Sequence, residues 1–187
     1  GTSPQPGERS LAHNGVLCSD DIPEFNKTTL EVLRQPLEDR HISISRAKYT
    51  IDYPCSFMFV ASMNPCPCGY YGDPTHRCVC TPGQIQRYMN KISGPLLDRI
   101  DIQCEISPVP FKDISTAAPG EPSAKIRERV IKAREIKAAR FQEFKGIHCN
   151  AQMTERMIHQ FAEPDEEGIN LLRMAMEKLS LSARAYN

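Results

Sequence analysis

Hydrophobic positions recur along this chain with two different periods. Val16-Leu17-Cys18 is a short, mostly apolar run that ends at Ser19 in two adjacent carboxylates, Asp20 and Asp21, and Pro23 stops any continuation. Phe57-Met58-Phe59-Val60-Ala61 is a continuous apolar run between Pro54 and Pro65. Such runs suit strands buried on both faces of a parallel sheet. Between these runs Ile42 and Ile44 alternate with polar residues, and the alternation resumes at Tyr49, Ile51 and Tyr53. That predicts a β-hairpin over 41–53 with a basic tip at Arg46-Ala47-Lys48. Helical spacing appears at Leu30, Leu33 and Leu37, behind an Asn26 cap, with Pro36 disturbing the last turn. It returns at Ile85, Tyr88, Met89 and Ile92, a helix over 83–92 started by Pro82 and broken by Gly94-Pro95. Ile102-Gln103-Cys104-Glu105-Ile106 is a further strand candidate.

Prolines punctuate 107–122, which reads as a linker. Beyond it the pattern is wholly helical. Ser123 is expected to cap a long helix to about Lys145, ended by Gly146, with Ile126, Val130, Ala133, Phe141 and Phe144 as its apolar stripe. Met153–Phe161 and Glu166–Leu179 predict two shorter helices, and Ser182 can cap another that carries Arg184. The expected organisation is therefore a first unit over 1–110, a linker over 111–122 and an all-α unit over 123–187.

Composition changes this picture in three ways. At 187 residues the chain can bury a real core. Lys+Arg 23 against Asp+Glu 23 leaves no net charge, so attraction to nucleic acid must be local. The local excess lies between Ser123 and Gly146, with eight Lys or Arg against three Glu, although such a face is most often simply solvated. No run reaches the length of a membrane helix and no signal segment opens the chain, so a cytoplasmic protein without a membrane partner is expected. The sequence is read as a piece of a longer protein.

Three groups of residues carry candidate chemistry. Carboxylates at the C-terminal end of a buried parallel strand, such as Asp20 and Asp21, are a common way to hold Mg²⁺ and orient a water beside a phosphate. An Asn at the end of a neighbouring strand, Asn64, can orient that water or a terminal phosphate. The bland alternatives are an acidic turn and a turn Asn before proline. Cys66, Cys68, Cys78 and Cys80 form two C-x-C pairs about ten residues apart, able to close a tetrahedral thiolate site for Zn²⁺. His76 could replace one thiolate, and a reduced loop or a disulfide is the alternative. The other cysteines, Cys18, Cys55, Cys104 and Cys149, are read as small buried hydrophobes. Arg99, flanked by Asp98 and Asp101, reads as a salt-bridged surface residue, and the cations of the hairpin tip as solvated.

Taken in order, the motifs resemble the ComM-like (YifB-type) members of the magnesium-chelatase clade of AAA+ ATPases. Leu11 to Leu17 followed by Asp20-Asp21-Ile22-Pro23-Glu24-Phe25 resembles that family's Walker B region. Leu33-Arg34-Gln35-Pro36-Leu37-Glu38, then Ile44-Ser45-Arg46-Ala47, resembles the pre-sensor hairpin segment. Ala61 to Gly69 resembles the first sensor, Ser93 to Asp101 the arginine-finger segment, and Leu181 to Tyr186 the second sensor.

The resemblance implies an α/β fold: an incomplete AAA+ P-loop-type parallel sheet with a hairpin insertion, followed by a helical lid. It also implies roles. Asp20 would hold Mg²⁺, Asp21 would polarise the attacking water, and Asn64 would sense the γ-phosphate of ATP. Arg99 would reach a neighbouring subunit's nucleotide, and Arg184 would contact the phosphates from the lid. Arg46 and Lys48 would face the pore of a homo-oligomeric ring, expected to be a hexamer, and grip DNA phosphates. The implied process is an ATP-driven DNA helicase or branch-migration motor. A motor that remodels a protein partner, or a zinc-stabilised interaction domain without hydrolysis, are the competing expectations.

Two departures stand out. Asp21 replaces the family's usual Glu, one methylene longer, and Cys18-Ser19 replaces a more apolar pair. In addition no G-x-x-x-x-G-K-[ST] loop occurs in the chain, so this piece alone is expected to bind ATP weakly or not at all.

Overall fold

Short runs with long connections fold into a small parallel sheet, a hairpin and a series of helices. The computed structural model describes residues 5–46, 49–109, 111–116, 120–179 and 181–182. The chain divides into two units, Gly1–Ser107 and Pro108–Asn187.

In the first unit, α1 (Glu8–Leu11) precedes β1 (Val16–Ser19), and a 3₁₀ turn follows at Ile22–Glu24. The Asn26 side chain accepts from the Thr29 amide at 2.7 Å and so caps α2 (Lys27–Glu31). α3 (Arg34–Asp39) follows as a separate helix, broken from α2 just ahead of Pro36. β2 (His41–Arg46) and β3 (Tyr49–Pro54) form the expected antiparallel hairpin, with Ile44 opposite Ile51. Lys48 lies outside the described residues, and of Arg46 only its place at the end of β2 is described. β4 (Met58–Ala61) pairs with β1 in parallel, Val16 opposite Met58 and Ser19 opposite Ala61. A reciprocal Thr81–Gln84 capping box opens α4 (Pro82–Met89), and Ser93 caps α5 (Gly94–Leu97).

The core of this unit lies directly behind the ends of β1 and β4. Ile22, Leu30, Ile92 and Leu96 are buried together, with Leu33, Leu37, Ala61, Met63 and Leu97 against them. Leu30 and Leu96 retain only 1% exposure, and each such burial stabilises by about 2 kcal/mol.

Three expectations are corrected here. The paired strands are not buried on both faces, because Val16, Met58 and Val60 are exposed. The apolar run marks strand formation, while its burial depends on what covers each face. Residues 102–106 form no strand, and Ile102 and Ile106 are more than four-fifths exposed. A strand needs a paired neighbour, and this segment pairs with none of the described strands. Of the isolated cysteines only Cys55 is fully buried; Cys18 and Cys104 are exposed. Within the proline-rich stretch, α6 spans Phe111–Thr116.

In the second unit, α7 spans Ser123–Arg140, with Pro122 at the cap position, so Ser123 begins the helix rather than capping it. α7 ends five residues before Lys145 because Phe141 turns inward. Phe141 is buried and meets Phe161 edge to face, as does Phe144, with ring centres 6.2 and 5.8 Å apart. Ile126, Val130 and Ala133 stay exposed, so the expected apolar stripe is packed only at its C-terminal end, at Phe141 and Phe144. A 3₁₀ turn at Asn150–Gln152, α8 (Glu155–Phe161) and α9 (Glu166–Leu179) complete the unit. Arg184 lies outside the described residues. No described helix is long and apolar enough to cross a membrane.

Candidate nucleotide site and cysteine cluster

The two parallel strands do not separate where regular pairing ends. The Ser62 amide donates to the Ser19 carbonyl at 3.0 Å, and the Ile22 amide returns to the Ser62 carbonyl at 3.1 Å. This extension carries both chains, in the same direction, one step past the sheet. Ile22 and Met63 are then anchored in the core, each next to a polar residue that cannot follow it inward. Asp20, Asp21, Ser62 and Asn64 are therefore gathered at one sheet end by backbone pairing and by buried neighbours.

Side chains complete the arrangement. Asn64 Nδ2 donates to Asp21 Oδ1 at 2.8 Å, across 43 positions of sequence. Ser62 Oγ donates to Asp20 Oδ1, which also accepts from the Asp21 amide at 3.1 Å. Both bonds fall on one oxygen, and Oδ2 carries none among the described residues. Asp21 sits in the left-handed region, at φ 46° and ψ 51°. That conformation costs an ordinary residue about 1–2 kcal/mol, less for Asp, and it places the turn between the acids and the buried Ile22-Pro23. Beneath lies Tyr88, 5% exposed. Burial pushes its phenol upward, helped by the charges of Asp21 and Glu24 and opposed by the Asn64 amide donating to its oxygen. Ser62 and Tyr88 are site residues that the sequence reading missed. Ser62 was legible as the hydroxyl two positions before Asn64, whereas nothing local marks Tyr88.

Arg99 follows α5 and is tied within its own chain. Its Nε and Nη2 donate to Glu38 Oε2, the former at 3.1 Å, and Nη1 donates to the Pro95 carbonyl at 2.8 Å. The salt bridge expected for Arg99 is thus made to Glu38, 61 positions upstream.

The four clustered cysteines converge independently of the sheet. Their sulfurs all lie within 4.8 Å of one another. Cys66 is 3.4 Å from Cys68 and 3.7 Å from Cys78, and Cys68 is 3.5 Å from Cys78. Thiolates about 2.3 Å from one tetrahedral Zn²⁺ stand about 3.8 Å apart, so this donor set fits that ion in number, type and spacing. Gly69, at φ 83°, turns the chain after Cys68. The Tyr70 and Val79 amides then donate to the Cys68 sulfur and lower its thiol to about 6. For Cys78 the Cys80 amide acts downward, but burial and the neighbouring thiols win and the net shift is upward. Burial and the same neighbours push Cys80 up to about 12. Cys68 ionises readily here whereas Cys78 and Cys80 resist, and a bound cation would relieve that resistance.

His76, the alternative ligand in the sequence, is not in the cluster. Its ring stacks on Tyr70 at 4.9 Å, and its amide donates to Asp73. Asp73 is held down at about 2, chiefly by the Thr75 hydroxyl and amide and then by the His76 amide.

Comparisons with known proteins agree with one another. The family model for magnesium chelatase, subunit ChlI, matches residues 1–114, and that for the subunit ChlI C-terminal region matches 120–187. The competence protein ComM of Haemophilus influenzae is 43% identical over 188 aligned residues, covering 100% of this chain and 36% of its own length. YifB of Escherichia coli K12 is 44% identical over 189, with the same coverage. Mycobacterium bovis Mb2921c is 37% identical over 183 residues, which is 98% of the chain. The chain thus spans little more than a third of these relatives, and these domains imply an AAA+-like α/β fold. With both family models matched and such identity along its whole length, the chain belongs to the magnesium chelatase family as a ComM-like member.

Proposed function

We propose that the chain is the Walker B-to-lid part of a ring-forming AAA+ ATPase that drives movement on DNA. The observation that carries this reading is the 2.8 Å bond from Asn64 to Asp21 at the common C-terminal end of two parallel strands. There the chain supplies a pair of acids, a neutral amide and a hydroxyl to one small volume, the set a phosphoryl-transfer site uses. The residues fit Mg²⁺, since Asp20 keeps one carboxylate oxygen outside its hydrogen bonds. Bound there with ATP, the ion neutralises phosphate charge. Asp21 accepts the proton side of the attacking water, and Asn64 both orients Asp21 and faces the terminal phosphate. Arg99 serves the nucleotide of a neighbouring copy, and Arg184 contacts the phosphates from the lid. The phosphate-binding loop comes from another part of the full-length protein. Asp21, shorter than Glu, makes for slow hydrolysis.

The four cysteines would hold Zn²⁺ as a structural ion, their sulfurs supplying a full set of four ligands. The name of the Haemophilus relative, a competence protein, supports DNA as the track. Arg46 and Lys48 at the hairpin tip bind its phosphates without reading sequence.

Two experiments test this reading in the full-length protein. Asn64→Ala is expected to lower steady-state ATP turnover by roughly 10²-fold, the usual cost of losing one preorganised polar group. Turnover within twofold of the parent contradicts the site. Arg46→Ala with Lys48→Ala is expected to weaken single-stranded DNA binding and to reduce its salt slope by about 2. An unchanged slope removes the hairpin from DNA contact.

A further inference from the structure

Two segments far apart in sequence meet at Arg99. Leu37 near the end of α3 and Leu97 at the end of α5 press on the same buried cluster. Glu38 stands one residue beyond the first anchor, and Arg99 two beyond the second. From there three of the five guanidinium N–H groups are engaged: Nε and one Nη2 proton on Glu38 Oε2, and one Nη1 proton on the Pro95 carbonyl. The Arg99 side chain is 13% exposed and that of Glu38 is 49%. An exposed ion pair holds neither partner firmly. A guanidinium fixed at three points and largely covered has already lost its rotamer freedom, and among the described residues two N–H groups remain uncommitted, one on each terminal nitrogen.

We propose that Glu38 is the positioning residue for Arg99. It fixes the guanidinium plane so that the two remaining N–H groups are ready for the terminal phosphate of a nucleotide held by a neighbouring copy of the chain. The inference rests on the proposed role of Arg99 across a subunit interface. Glu38 itself touches neither nucleotide nor metal. Its contribution is that the cation needs no reorganisation when charge develops on the phosphoryl group.

The test uses the assembled full-length protein and its ATP turnover. Glu38→Ala is expected to lower kcat about tenfold with KM within twofold. Glu38→Gln, which keeps the shape and one acceptor oxygen, is expected to recover part of that loss. It also carries the test should Glu38→Ala fail to assemble. Combining Glu38→Ala with Arg99→Ala is expected to be no slower than Arg99→Ala alone.

Mixed assemblies separate the roles further. Subunits with Glu38→Ala, mixed with subunits carrying Asp20→Asn, are expected to regain turnover, because the latter bring an intact Glu38–Arg99 pair to a neighbour's intact acids. Parental kcat in both Glu38 variants, additive losses, or no recovery on mixing overturns the role of Glu38. Arg99→Ala subunits mixed with Asp20→Asn subunits form the separate control. If that pair also fails to recover turnover, it is the reading of Arg99 itself that falls.

Discussion

The sheet end and the cysteine loop gather polar groups by opposite means. At the sheet end, residues 43 positions apart are brought together by a parallel ladder and by buried neighbours, so the backbone places Asp21 and Asn64 before their side chains touch. In the loop, four sulfurs drawn from 15 consecutive residues converge with no helix or strand between them. Only Cys66 is buried there, and the geometry rests on turns and on amides aimed at Cys68, with the proposed Zn²⁺ as the group that would tie the sulfurs together. The sheet end should therefore be robust to loss of any one polar group, whereas the loop should be brittle to loss of one ligand.

The largest effect expected from that contrast is Cys66→Ser. Zinc measured on protein purified without chelator should fall from one equivalent to well below one. The loop should lose most of the stabilisation a structural zinc supplies, on the order of 10 kcal/mol for a site formed wholly on folding. The core of Ile22, Leu30, Ile92 and Leu96 should survive, seen as retained far-ultraviolet dichroism with a lower melting temperature. Absence of zinc from the parent protein breaks the contrast at its root.

A smaller effect sharpens it. Asp73 organises the loop tip as a carboxylate and is held at about 2. Its native value lies below its unfolded one, so its contribution is fully present above about pH 4 and is lost as pH falls through about 2. Carboxyl carbon shifts of Asp73 should therefore titrate near 2, and a midpoint near 4 contradicts the turn described here.

The same contrast explains what was legible in the sequence. The cysteine cluster could be read from spacing because its ligands are local. The Asn26 cap was legible for the same reason, since it meets Thr29 three residues away. The closeness of Asn64 to the acids needed one correct assumption, that two apolar runs pair in parallel, and that assumption holds. Glu38 with Arg99, and Tyr88 beneath Asn64, depend on packing between distant helices, which no periodicity encodes. The N-terminal part of the helical stripe, at Ile126 and Val130, and the candidate strand at 102–106 failed for the opposite reason. Their patterns describe a surface suited to burial, and none of the described residues buries it.

The central claim is that Asp20, Asp21 and Asn64 serve one nucleotide. Single-turnover ATP hydrolysis by the full-length protein carrying Asp20→Asn tests it most directly. The account predicts hydrolysis reduced by roughly 10²-fold or more, while binding of an ATP analogue in the absence of Mg²⁺ stays near the parental level. Hydrolysis at the parental rate in that variant would contradict it.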